Sequence, residues 1–234
     1  MIRNSPGFVT YTIAILFLCL LTLPVIEQIK NIVQKSILNT EPIWLNDELS
    51  LQRARVHEVM GQASDSFAVM IAAKLKGPIV WIGRGRDVGS ITPTALKSFL
   101  DPARIVLTEG TSRKEVLWAG EQALRSKGAA LTIIELHIGP DLRESRRLQL
   151  AAEEGKGVGL ILIRRRAQSS ASQTRWICEP QLGSDEVVHN TPMPGPWVWE
   201  MTKNKSGPVG RWSVKWREGK DATHNVHMVS ATAA

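Results

Sequence analysis

A chain of 234 residues with 43% hydrophobic content and eight Trp excludes a mainly disordered protein and can bury one sizeable core, so one globular domain with an N-terminal appendage is expected. Its two cysteines, Cys19 and Cys178, exclude a disulfide framework and a thiolate zinc cluster, so no metal site is expected. The formal charge of +7, from 29 Lys and Arg against 22 Asp and Glu, suits nucleic acid, an acidic partner or an anionic membrane surface without choosing among them.

Residues 7–26 form a run of twenty residues without a charge, long enough to cross a hydrocarbon core of about 30 Å. The run reads as a single apolar anchor helix. Lys30 and Lys35 follow it, which by the positive-inside rule sets the domain on the cytoplasmic side of an inner membrane. A buried or partner-bound helix, or an extension present only in the conceptual translation, fits the same residues. Helical spacing at Ile29, Ile32, Val33 and Ile37 suggests a juxtamembrane or docking helix. Asn39 to Ser50, with Pro42, reads as a linker, so 1–48 is expected to be anchor and linker and 49–234 the domain.

Ala54 to Lys74 reads as a short strand, a small polar turn and an apolar helix. Phosphate-binding loops occupy that position because successive backbone N–H groups and the positive helix end cradle an anion. The loop runs Gly61, Gln62, Ala63, Ser64, Asp65, Ser66, Phe67, Ala68. A working loop ends in Gly-Lys-Ser/Thr, with the Lys on the outer phosphates and the hydroxyl on magnesium. Ser66, Phe67 and Ala68 stand there instead, so a degenerate loop without catalytic residues or cofactor is expected.

Strands and helices then alternate, which argues for an α/β fold with a mainly parallel sheet flanked by helices. Pro78 to Ile82 is an apolar strand, and the glycines from Gly83 to Gly89 form a loop whose spacing does not fit a dinucleotide fingerprint. Thr92 to Leu100 reads as a short helix begun by Pro93, and Arg104 to Thr108 as a strand. Ser112 with Glu115 predicts a capping box opening a helix that runs to Gly128. Ala130 to Leu136 reads as a buried strand ending near Glu135. An acid there is a Walker B candidate for magnesium, though the missing Lys and hydroxyl favour an acid that merely caps a loop or pairs with an Arg.

Asp141 with Glu144 predicts a second capped helix, ending at Gly155. Val158 to Ile163 is the next strand, and Arg164, Arg165 and Arg166 are expected to open a basic polar loop. Such a loop can contact phosphates or simply be solvated. Thr174 to Cys178 returns as a strand. After a Pro-rich connection, 180–196, three segments alternate with period two: Trp197 to Met201, Trp212 to Trp216 and Asn225 to Val229. They predict antiparallel strands at the C-terminal edge. Their four Trp, interleaved with Lys203, Lys205, Arg211 and Lys215, fit either base stacking or a core face backed by solvated cations.

The order of these pieces resembles the RecA-like ATPase core. Ala54-Arg55-Val56-His57-Glu58-Val59-Met60-Gly61 looks like the strand entering its P-loop, and Lys203-Asn204-Lys205 like its late strand end. More closely, the chain is similar to ImuA-type proteins, shortened RecA-like accessory factors of bacterial DNA-damage mutagenesis. The matching stretches are Arg53 to Gly61, Asp101 to Arg104, Leu117 to Ala119, Ser145 to Glu153, Thr174 to Trp176 and Lys203 to Lys205. They span about 49–229 and leave the apolar N-terminus unexplained.

The resemblance implies a non-catalytic adaptor in SOS-type translesion synthesis, working with an ImuB-type Y-family polymerase homologue and an error-prone C-family DNA polymerase. It also implies that Lys203 and Lys205, which in RecA reach nucleotide across a subunit interface, grip a partner or DNA here. The family's catalytic glutamate is missing, since 79–86 holds no carboxylate. Two other readings fit the residues: a SulA-type cell-division inhibitor that binds the division GTPase, and a residual nucleotide-binding ATPase using Glu135.

Overall fold

Strand Val56–Met60 is so apolar in its surroundings that four of its five side chains are fully buried, His57 and Glu58 included. It forms the centre of the fold. The computed structural model describes residues 41–46, 49–85, 93–181, 196–216 and 226–230. In chain order the described strands are β1 (Ile43–Trp44), β2 (Ser50–Leu51), β3 (Val56–Met60), β4 (Ile79–Gly83), β5 (Ile105–Glu109), β6 (Leu131–Ile138), β7 (Gly159–Arg166), β8 (Thr174–Pro180), β9 (Trp197–Asn204), β10 (Gly210–Trp216) and β11 (Val226–Ser230). The helices are α1 (Ser64–Lys74), α2 (Pro93–Leu96), α3 (Arg113–Arg125) and α4 (Leu142–Gly155).

The main sheet has nine strands in the order β11-β10-β9-β8-β3-β7-β6-β4-β5. From β8 to β5 every neighbouring pair is parallel, and β8, β9, β10 and β11 pair antiparallel. The sequence expectation of an α/β fold with antiparallel strands at the C-terminal edge therefore holds.

Side chains alternate across the parallel strands and supply two cores. Val59, Trp81, Ile133, Leu160 and Leu162 belong to one cluster with α1, while Ile82, Ile134, Ile161 and Ile163 belong to another with Val116 and Leu124 of α3 and Leu148, Ala151 and Ala152 of α4. Helix α1 is buried almost all round, from Phe67 through Ala73, as expected of a helix without a polar stripe. Ile43, Leu45 and Leu51 join its cluster, so part of the stretch read as a linker folds into the short β1–β2 ladder, where Ile43 pairs with Leu51. Arg104 closes the far end of α1 by donating to the carbonyls of Ala72 (3.3 Å) in its last turn and of Leu75 (2.5 Å) and Gly77 (2.9 Å) just beyond it.

Several expectations are corrected. The helix expected over 92–100 is regular only from Pro93 to Leu96. Ser112 accepts from Glu115 N–H at 3.3 Å, but Glu115 turns its carboxylate to the Thr111 N–H and hydroxyl, so only half of that capping box forms. The Asp141–Glu144 box is complete. Arg164, Arg165 and Arg166 are not a loop; they are the last three residues of β7, because Ile138 at the end of β6 still pairs with Arg166.

The transmembrane anchor, and the inner-membrane placement with a cytoplasmic domain built on it, are likewise corrected. Among the described residues no helix is long and apolar enough to cross a membrane. Helix α4, the longest of them at 14 residues, spans about 21 Å at 1.5 Å per residue against a core of about 30 Å. The apolar run at 7–26 and the glycine-rich positions 86–89 lie outside the described residues.

Candidate functional site

The turn after β3, Gly61 to Ala63, feeds directly into α1, whose first residues are Ser64 to Ala68, at the carboxyl ends of β3, β6 and β7. In open α/β sheets that end is where ligands bind. Gly61 has φ +96°, and a Cβ there would lie 2.2 Å from the Cys178 carbonyl oxygen, so only glycine fits against β8.

Three N–H groups of the turn and helix start are taken by the protein itself. Gln62 N–H donates to Glu179 Oε2 at 3.1 Å, Ala63 N–H to the Cys178 carbonyl at 2.9 Å and Ser64 N–H to the Gly61 carbonyl at 3.2 Å. Phe67, which the sequence count sets where a working phosphate loop carries its lysine, is fully buried. Its ring lies 5.3 Å from that of Trp176 and 4.5 Å from that of Trp199, in tilted contacts that aromatic quadrupoles favour. Ala68 is equally buried.

An ionic cluster covers the helix start. Arg164 Nη2 donates to Asp65 Oδ1 at 2.8 Å and Nη1 to Asp65 Oδ2 and Ser64 Oγ, both at 3.1 Å. The same Nη2 stands 3.0 Å from Glu135 Oε2 as an ion pair without an aligned N–H. Glu135 Oε1 accepts from Trp81 Nε1 at 2.5 Å. Burial raises the Glu135 pKa above the usual carboxylate value, against the opposing pull of Arg164 and the Trp81 hydrogen bond. Burial alone would lower the Arg164 pKa, but the hydrogen bonds and charge of Asp65, with the charge of Glu135, outweigh it and raise it. Glu135 lies inside β6, three residues before its end, and its two oxygens face an indole and a guanidinium. A cavity of about 420 Å³ opens beside the loop between Gln62, Arg164, Arg165 and Glu179.

The remaining cations separate. Arg165 and Arg166 are exposed. Lys203 Nζ donates to the Ser170 carbonyl at 2.8 Å and to Ser172 Oγ at 3.3 Å, and Lys205 Nζ to the Ala171 carbonyl at 2.6 Å. Both lysines thus hold the segment between β7 and β8 against the sheet, and burial lowers the Lys203 pKa. Of the C-terminal Trp, Trp197 and Trp199 are buried, which fits the core reading of that alternation.

Two arrangements have no clear local signal. Glu58, fully buried, is met by Arg175 through Nε at 2.7 Å and Nη2 at 2.6 Å. His57 sits in a relay: the Trp176 indole donates to Thr174 Oγ1 at 2.8 Å, and Thr174 pairs with His57 Nδ1 at 2.8 Å while His57 Nε2 meets the Gln52 carbonyl at 2.9 Å. A carbonyl only accepts, so Nε2 carries the proton and Nδ1 accepts from the Thr174 hydroxyl. Burial, reinforced by the charge of Arg55 and opposed by the Gln52 bond, lowers the His57 pKa to about 4.

No family profile matches the chain. The chain is 29% identical over 198 residues to "Protein ImuA" of Caulobacter vibrioides strain NA1000 / CB15N, covering 77% of this chain and 79% of that protein. The same figures hold for "Protein ImuA" of strain ATCC 19089 / CIP 103742 / CB 15. The chain is thus a distant homologue of ImuA proteins.

Proposed function

We propose that this chain is an ImuA-type protein whose RecA-like domain, over 49–234, is a non-hydrolysing adaptor in DNA-damage-induced translesion synthesis. The observation that carries the reading is the filling of the phosphate cradle. Glu179 occupies an N–H of the loop, Asp65 stands at the positive end of α1, and Arg164 supplies the cation that a lysine supplies in a working site. These groups reproduce internally the charge pattern of a bound phosphate and its counter-cation, and a nucleotide would have to displace all three. The homology to ImuA proteins supports this reading over the division-inhibitor one.

The partners of such an adaptor are an ImuB-type Y-family polymerase homologue and an error-prone C-family DNA polymerase. DNA contact, where it occurs, falls to the exposed Arg165 and Arg166, since Arg164, Lys203 and Lys205 are engaged within the protein. Calorimetric titration of the purified chain with Mg-ATP and Mg-ADP tests the adaptor reading, with no saturable heat and no phosphate release expected. Recovery of the chain from damaged cells is expected to bring polymerase subunits and not the division GTPase. ATP hydrolysis abolished by Glu135→Gln would overturn it.

A further inference from the structure

Helices α3 and α4 lie side by side on the sheet and are joined by charge. Glu121 of α3 accepts from Arg125 at 2.5 Å and from Arg147 of α4 at 2.6 Å, and Arg113 grips Glu144 at 2.6 Å while donating to the carbonyls of Ile138 and Gly139. Between them runs a groove of about 350 Å³ with Leu117 and Leu148 in its lining. One wall is Trp118, whose residue is 60% exposed. An indole held in the open beside an apolar groove leaves a large area to bury on contact, and Trp and Arg are among the residues enriched at the energetic centres of protein interfaces.

The cations around the groove outnumber its carboxylates. Its two lining carboxylates, Glu121 and Glu144, are each held by guanidinium groups. Exposed Lys114 lines the groove one turn before Trp118, and exposed Arg143 precedes Arg147 by one turn of α4, placing it on the same stripe. We infer that this groove docks an acidic segment of a partner protein, with one or two bulky apolar side chains seated against Trp118 and carboxylates set against Lys114, Arg143 and Arg147. A second copy of this chain is disfavoured, because a two-fold contact would set the same cations against one another. Nucleic acid is disfavoured because the floor of the groove is apolar, with Leu117, Trp118 and Leu148, where a phosphate backbone calls for converging donors. The inference rests on the adaptor reading only for which protein carries the segment.

The test is fluorescence polarisation on the full chain with three short labelled peptides: Leu and Phe anchors flanked by Glu and Asp, the same anchors flanked by Lys, and the acidic flanks without anchors. The first is expected to bind saturably, and the other two at least about tenfold more weakly. Trp118→Ala and Lys114→Glu are each expected to weaken the first peptide by about tenfold, with Trp118→Phe restoring most of the binding and circular dichroism unchanged. Absence of saturable binding, equal binding of the Lys-flanked peptide or indifference to Trp118→Ala overturns the inference. So does a Trp118-dependent affinity for duplex DNA, or a Trp118-dependent dimer, that replaces peptide binding. A wild-type chain that binds the acidic peptide yet recovers no polymerase subunit sinks the adaptor reading and leaves the groove standing.

Discussion

Arg164 and Asp65, 99 residues apart in the chain, form a two-pronged pair at 2.8 and 3.1 Å across the start of the buried helix. The pair does two jobs: it keeps an anion at the positive helix end, and it brings a cation against Glu135, whose carboxylate is almost wholly out of water. Replacing Arg164 by Met therefore strands a buried carboxylate and is expected to cost about 3–5 kcal/mol in urea denaturation. Combining it with Glu135→Gln, which keeps an acceptor for Trp81, is expected to recover more than half of that loss.

Phe67 explains why a lysine placed there is not expected to create an ATPase. The residue is packed between Trp176 and Trp199, so Phe67→Ala is expected to cost about 3–5 kcal/mol. Phe67→Lys is expected to cost at least as much and to leave nucleotide affinity at the wild-type level. Thermal unfolding with and without Mg-ATP checks both, and a ligand-induced rise in melting temperature of the lysine variant would contradict the account.

His57 gives the protein a predictable acid response. Its folded pKa is lowered to about 4 from 6.5, so the unfolded chain takes up the proton first. Stability from this residue is fully present above pH 6.5, falls by about 3 kcal/mol as the pH drops to about 4, and changes no further below that. In His57→Asn this part of the slope of unfolding free energy against pH is expected to vanish.

If the chain contacts DNA through the end of β7, the exposed pair Arg165 and Arg166 carries the contact. Replacing both with Gln is expected to reduce the slope of log affinity against log salt by about 2. Replacing Lys203 is expected to leave that slope unchanged and to loosen the segment held at Ser170. An unchanged slope in the double Arg variant would remove DNA contact from the proposal.

What could be read from the sequence was local. Asp141 and Glu144 announce helix α4 because both partners of the cap lie within one turn, and the small, polar turn before an apolar run marks the loop at Gly61. The charged cluster is hidden from a local reading for the opposite reason. Three consecutive arginines look like a solvated loop, yet β-strand alternation sends Arg164 inward, to carboxylates contributed by a distant helix and a neighbouring strand. Glu135 reads as lying at a strand end because the polar His137 interrupts the apolar run, just where the pairing of β6 shifts register before resuming at Ile138. Trp118 is recoverable from the helix period, three residues before Glu121 and four after Lys114, but only once the partner helix is known.

The placement of β3 also bears on how the chain is made. Its partners, Gly159 to Ile163 and Thr174 to Ile177, leave the ribosome roughly a hundred residues after it does. Until then the middle of the sheet has neither neighbour, and any product terminated before Gly159 would display Val56 to Met60 as an open, sticky seam. Premature stops before Gly159 should therefore yield insoluble material, with no smaller working protein among the products.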